Sequence, residues 1–159
     1  MHDIDFRPAT ADDFLFFFQL HKGTLGPYVE QVWGWDDEDQ RTYLQRTIDY
    51  DDTQVIVVDG TDAGRLKVER RPQEIYLGLI EIAPPHQGRG VGTQIVRSVL
   101  DDAFADGKRV CLDVLRVNTS AYRLYRRLGF AQAAATEVRF QMVAEPPPLR
   151  HGLNQTARR

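Results

Sequence analysis

The sequence predicts a mixed α+β fold built around one sheet. Over residues 55–58, 66–68 and 75–82, apolar residues alternate with polar ones or run unbroken between turn signals, which is how strands read. Val91, Ile95, Val96, Val99, Ala103 and Phe104 instead recur at three- and four-residue spacing, which marks one face of a helix. Strand-like and helix-like segments interleave along 159 residues, a length that supports one core but not two comfortable ones.

Ile4 and Phe6 alternate with Asp3, Asp5 and Arg7 ahead of Pro8 and give a short first strand. Thr10 can cap the helix that follows, and Asp12 and Asp13 in its first turn complement the helix dipole. Gly26-Pro27 is a breaker that ends this helix near Leu25. After Trp33-Gly34-Trp35, a second helix starts at Asp36 and carries Tyr43, Leu44 and Ile48. Val55 to Val58 stops at the Asp59-Gly60 turn. Leu66 and Val68 then alternate with Arg65, Lys67 and Glu69, the pattern of a half-buried strand. Ile75 to Ile82 is longer, more apolar and halted by Pro84-Pro85, so two or three antiparallel neighbours are expected in this region. Gly107 is placed to end the amphipathic helix as a left-handed cap. Val110, Leu112 and Val114 form a further strand, Ala121, Leu124 and Leu128 a shorter helix closed by Gly129, and strand-like residues return between Val138 and Val143. One domain is expected over 1–144, followed by a Pro-rich, flexible tail over 145–159.

Composition narrows the function classes. A net charge of −3 argues against a nucleic-acid partner, which a basic patch would announce. The longest apolar run, Phe14 to Phe18, is far short of the ~20 residues of a membrane helix. Met1-His2-Asp3 lacks the basic and apolar regions of a signal peptide, and the single cysteine, Cys111, cannot form an internal disulfide. A cytoplasmic protein with no membrane partner is expected. His2, His21, His86 and His151 are scattered and none sits at ligand spacing, so no metal is expected.

The most informative segment is Ile80-Glu81-Ile82-Ala83-Pro84-Pro85-His86-Gln87-Gly88-Arg89-Gly90-Val91-Gly92-Thr93. A strand runs into a glycine-rich turn that opens an amphipathic helix. Glycines let backbone N–H groups approach an anion with no Cβ in the way, and the helix N-terminus adds unpaired donors and partial positive charge. Such a turn suits phosphate or pyrophosphate, and Arg89 could add a cation. A Walker A loop needs a lysine, and none occurs between Lys67 and Lys108. A dinucleotide fingerprint needs a glycine sixth from Gly88, where Thr93 stands, and it should open a parallel βαβ unit. A tight turn with no ligand is the competing reading.

Gln87-Gly88-Arg89-Gly90-Val91-Gly92 resembles the Gln/Arg-x-x-Gly-x-Gly/Ala motif of the GNAT superfamily of N-acetyltransferases. About 30 residues on, Asn118-Thr119-Ser120-Ala121-Tyr122-Arg123-Leu124-Tyr125-Arg126-Arg127-Leu128-Gly129-Phe130 resembles that superfamily's Asn-x-x-Ala-x-x-Leu-Tyr-x-x-x-Gly-Phe signature. The resemblance spans roughly residues 4–143. It implies a mixed, mostly antiparallel sheet splayed between its fourth and fifth strands and flanked by about four helices. It implies acetyl-CoA as co-substrate, with pyrophosphate held by the backbone from Gln87 to Thr93, the pantetheine arm paired with Ile80 and Ile82, and Asn118 contacting the cofactor near that arm. Tyr125 is implied as the acid at the thioester sulfur, although a tyrosine on a half-buried helix can also simply pack.

Direct transfer needs a neutral amine, and an alkylamine of pKa about 10.4 costs about 4–5 kcal/mol to hold neutral at pH 7. Glu81, on the strand leading into the phosphate turn, is the expected base, directly or through water, with Glu74 and His21 as alternatives; a solvent-facing strand residue is the bland reading of Glu81. Tyr28, Trp33, Trp35 and the acidic run Asp36-Asp37-Glu38-Asp39 suit a small cationic amine, while helix capping and core packing explain the same residues without a ligand. Arg116, Arg123, Arg126 and Arg127 could meet adenosine phosphates or solvate a helix face. The expected activity is acetyl transfer to a primary amine of a small molecule. A protein or peptide N-acetyltransferase and a non-catalytic acyl-CoA-binding module are the alternatives, and a homodimer through a sheet edge is allowed by analogy.

Overall fold

The apolar run Val55 to Val58 shows how the layers are arranged in the computed structural model, which describes residues 2–148. Successive side chains on a strand point to opposite faces. Ile56 and Val58 join one core cluster and Val55 the other, so this strand is covered on both sides and has no polar face.

In chain order the elements are β1 (Ile4–Pro8), α1 (Phe14–Thr24), α2 (Gly26–Trp33), α3 (Asp37–Thr47), β2 (Thr53–Val58), β3 (Thr61–Arg70), β4 (Glu74–Ile82), α4 (Val91–Ala105), β5 (Arg109–Leu115), α5 (Thr119–Arg127), β6 (Ala131–Ala135) and β7 (Arg139–Ala144). Short 3-10 turns over Ala11–Asp13 and Pro84–His86 precede α1 and α4. The seven strands form one sheet in the order β1-β2-β3-β4-β5-β7-β6. All neighbours are antiparallel except β4 and β5, which run parallel and pair only from Glu74–Tyr76 to Arg109–Cys111. Beyond Tyr76 the two strands separate, as the resemblance implies. Five α-helices flank the sheet where about four were expected.

On one face α4 buries Val91, Ile95, Val96, Leu100 and Ala103 against Leu66, Leu77, Val110 and Leu112. Each fully buried Val, Ile or Leu of that stripe contributes about 1.5–3 kcal/mol. On the other face Phe17, Phe18 and Leu20 of α1 and Leu44 of α3 pack with Val55. Gly107 and Gly129 follow α4 and α5 at φ 69° and 101°.

Two expectations are corrected and one unexpected strand is added. Gly26-Pro27 starts α2, because a proline in the first helical turn removes an N–H that has no partner there anyway. Ala131–Ala135 is an edge strand that alanines conceal, since they pack poorly on a pleated surface and all five positions are exposed. The region around Arg65 is not half-buried: Ala63, Gly64, Arg65 and Leu66 are all buried. The segments expected from 149–159, including the end of the Pro-rich tail, lie outside the described residues. Among the described residues no helix is long and apolar enough to cross a membrane.

At Gly64 the backbone of β4 passes so near that a Cβ would stand 2.1 Å from the Glu81 carbonyl oxygen and 3.3 Å from Ile56 Cδ1. The first contact is with backbone, so no rotamer change relieves it. Gly64→Ala is expected to destabilise the fold by about 1–3 kcal/mol, read as a lower urea midpoint at unchanged m-value. An unchanged midpoint would show that β3 and β4 part without cost.

Candidate active site

Separation of β4 from β5 opens a cavity of about 800 Å³. Its walls are Tyr76 to Ile80 of β4 and Leu112 to Leu115 of β5, with Asn118, Ala121 and Tyr125 from the start and middle of α5. His21, Leu25 and Val29 enter from α1 and α2, and Trp33, Gln40, Tyr43 and Arg139 complete the outer side. The register explains the split. Only three residues of each strand pair before they diverge, so the edge of β4 beyond Tyr76 has no strand beside it.

The glycine turn lies between the end of β4 and the start of α4, and none of its residues from Gln87 to Thr93 lines the cavity. Gly88 and Gly90 adopt φ of 73° and 78°, and a Cβ built at either meets nothing within 4 Å. Gly90 is the N-cap of α4 and offers no side chain to its amides. The N–H groups of Gly88, Arg89, Gly90, Val91, Gly92 and Thr93 have no hydrogen-bond partner among the described residues, and the first helical bond runs from Gln94 N–H to the Gly90 carbonyl at 3.0 Å. Six successive unpartnered donors stand at the positive end of a 15-residue helix, the kind of terminus that suits an anion. Gln87 serves the turn itself: its amide nitrogen donates to the Ile82 carbonyl at 2.8 Å, so that carbonyl is already occupied. Ile80 lines the cavity, whereas Ile82 does not.

Tyr125 is 9% exposed and lies edge-on to Phe130, with ring centroids 5.6 Å apart. It nonetheless lines the cavity, and its hydroxyl has no hydrogen-bond partner among the described residues. Burial pushes its phenol up to about 12. Asn118 also lines the cavity, but its side chain caps α5, accepting the Ala121 N–H at 3.2 Å.

The structure corrects the reading of Glu81. Its carboxylate is neither open to an acceptor nor turned to solvent: it is 2% exposed and does not line the cavity. One oxygen pairs with Arg65 Nε, and the other accepts from Thr24 Oγ1 at 2.7 Å and lies 3.0 Å from His21 Nδ1. Burial raises its pKa, but the His21 hydrogen bond, the charges of Arg65 and His21, and the Thr24 hydrogen bond outweigh burial and hold it below the ordinary carboxylate value. A depressed, fully bonded carboxylate is a poor proton acceptor. Glu74 sits at the closed end of the split, 3.5 Å from Arg109 and bonded to the Cys111 thiol. His21 is the titratable neighbour of Glu81 that faces the cavity. Nothing in the sequence ties His21 to Glu81; only the placement of α1 against β4 does.

The aromatic residues expected on the acceptor side divide. Trp33 lines the cavity and is 55% exposed. Trp35 packs between Phe18 and His21 at centroid distances of 6.3 and 5.9 Å, and its indole N–H donates to Asp37 at 2.6 Å. Tyr28 is half-buried away from the cavity. None of the acids from Asp36 to Asp39 lines it. Asp36 caps α3 by accepting the Asp39 N–H at 2.9 Å, and Asp37 pairs with Lys22. Arg116 is likewise engaged, donating to the Thr136 carbonyl at 3.1 Å and lying over Phe140.

Residues 14–130 match the acetyltransferase (GNAT) family. A streptothricin acetyltransferase of Streptomyces lavendulae is 31% identical over 112 residues, 69% of this chain and 54% of that protein. The N-alpha-acetyltransferase RimI of Mycobacterium tuberculosis is 41% identical over 69 residues, 43% of this chain and 42% of that one. The chain thus spans about half the length of the curated relatives it matches. Its fold is similar to that of the PaiA N-acetyltransferase from Thermoplasma acidophilum, solved in complex with coenzyme A, with a TM-score of 0.72, 12% identity, and coverage of 90% of this chain and 99% of that one.

Proposed function

The chain belongs to the acetyltransferase (GNAT) family, and from that premise we propose that it moves an acetyl group from acetyl-CoA directly to the primary amine of a small molecule. The observation that carries this reading is the combination of three features: six unpartnered amides from Gly88 to Thr93, an open β4 edge beyond Tyr76, and Tyr125 in the wall of the split. A diphosphate fits the amides, where a Cβ at Gly88 or Gly90 would point into open space. An extended pantetheine arm fits the unpaired edge at Ile80, as an added strand would. Asn118, already fixed as a cap, keeps its remaining hydrogen-bonding capacity toward the same cavity.

Acetyl-CoA supplies the acyl thioester, and the protein supplies proton handling and position. His21 serves as general base. With Nδ1 donating to Glu81, its Nε2 lone pair is left to take the proton of the acceptor amine. Glu81 is a positioning residue that holds this tautomer, and Arg65 and Thr24 hold Glu81. Tyr125 acts on the leaving sulfur. Magnitudes decide how: a phenol near 12 is about 3.5 units weaker as an acid than a thiol of about 8.5, so full proton transfer to the sulfur would cost about 5 kcal/mol. Tyr125 therefore stabilises the departing thiolate by donating a hydrogen bond and keeps its proton.

Tyr125→Phe removes one hydrogen bond to a charged sulfur. It is expected to lower kcat about 10- to 100-fold while leaving the acetyl-CoA Kd within about threefold, measured by thiol release and by titration calorimetry. Turnover equal to the parent would remove the role. Peptide N-terminal acetylation is the second reading, favoured by the similarity to RimI over 69 residues. The contact between Trp33 of α2 and Arg139 of β7, both of which line the cavity, favours the small-molecule acceptor instead. An acceptor screen in which peptides outperform every small amine would reverse that order.

A further inference from the structure

Arg139 opens β7 opposite Leu115 of β5, and its guanidinium lies over the Trp33 ring at 5.4 Å from the centroid. Arg7, Arg65, Arg71 and Arg109 each have a carboxylate within ion-pair distance. The Arg139 side chain has neither an ion pair nor a hydrogen bond among the described residues, although it lines the cavity. Stacking on an indole satisfies the face of a guanidinium and fixes its plane, but leaves its N–H fork unbonded. Gln40 and Tyr43, which line the same outer wall, bring neutral donors whose side chains are also without partners among the described residues. Of the acids expected to make this wall receptive to a cation none lines the cavity; Asp36 caps α3 and Asp37 pairs with Lys22.

We infer that Arg139, held over Trp33, binds a carboxylate of the acceptor, so that the acceptor is a small amino-acid-like molecule and not a simple polyamine. This rests on the acetyl-transfer reading. The planar fork of a guanidinium matches a carboxylate in two parallel hydrogen bonds. Asp113 sets the direction of entry. It lines the cavity on the same face of the β5–β7 ladder, opposite Gln141 and nearer the closed end of the split, and accepts the Tyr76 hydroxyl at 2.7 Å. A carboxylate seated inward would meet Asp113, whereas one seated outward meets Arg139, leaving the amine on the inner side with His21 and Tyr125.

The test uses the full chain with acetyl-CoA, the twenty common amino acids, and their matched amides and decarboxylated amines, reading thiol release. The acids are expected to exceed their own amides and amines in kcat/KM by about 10- to 100-fold for those side chains the cavity admits. Arg139→Gln is expected to bring that ratio near unity through KM, and Arg139→Lys to restore part of it, which a merely structural loss would not do. The inference is overturned if amides or amines are preferred, if the ratio survives Arg139→Gln, or if no amino acid is acetylated. A separate calorimetric titration with acetyl-CoA distinguishes the two levels. No binding sinks the acetyl-transfer reading, while binding with amides preferred sinks only the carboxylate.

Discussion

Arg65→Met is expected to lower the unfolding free energy by about 3–5 kcal/mol at pH 7, because it strands the Glu81 carboxylate without its strongest cation. Arg65 is 5% exposed and Glu81 2%, so water cannot replace the lost partner. The pH dependence separates this cause from simple loss of packing. In the parent, Glu81 titrates below its ordinary value of 4.5, so its contribution is present above that value and fades as pH falls through the folded pKa. Without Arg65, burial is opposed only by His21 and Thr24, and the folded pKa rises from its parental position. The stabilisation by the carboxylate at neutral pH is then smaller, and protonation narrows the deficit as pH falls. The difference between parent and variant should therefore be largest near pH 7 and shrink toward pH 4, in urea melts at matched ionic strength. Arg65→Met combined with Glu81→Leu should regain much of the loss, since an apolar pair of similar volume replaces a buried ion pair at little cost. A deficit that is constant with pH, or that the double variant does not reduce, would rule out the uncompensated charge.

This pair also shows where reading the sequence runs out. The glycine turn was legible because its chemistry is local: Gly88, Gly90 and the start of α4 lie within a few residues of one another and need no tertiary contact to face an anion. The α5 signature was legible for the same reason, with Asn118 and Tyr125 on one short helix. Arg65 was not. Its alternation with Leu66 reads as a polar face turned to water, but both faces of β3 are covered there and a buried glutamate awaits it across the β3–β4 ladder. His21 belongs to α1 and meets Glu81 only because α1 packs across the sheet, so no spacing along the chain encodes the contact. Trp33 and Arg139 come together from a helix the proline disguised and from a strand near the end of the described chain. The acids from Asp36 to Asp39 were legible as what they are, the cap and first turn of α3.

His21→Ala is expected to lower kcat about 100- to 1,000-fold, the usual worth of a positioned general base, while the acetyl-CoA Kd stays within about threefold. Glu81→Gln provides the sharper test because it keeps the side chain's size. With its oxygen facing Arg65, the amide turns an NH₂ toward His21 Nδ1. That nitrogen must then accept, which moves the ring proton to Nε2 and leaves no lone pair for the acceptor amine. Glu81→Gln should thus lose nearly as much kcat as His21→Ala, even where circular dichroism and the urea midpoint show the protein folded. If Glu81 served only to neutralise Arg65, the glutamine variant would lose stability but retain its rate per folded molecule. A fully active, folded Glu81→Gln protein, or a His21→Ala protein with the parental kcat, would return the base role to water or another group and reduce the Arg65–Glu81–His21 chain to packing.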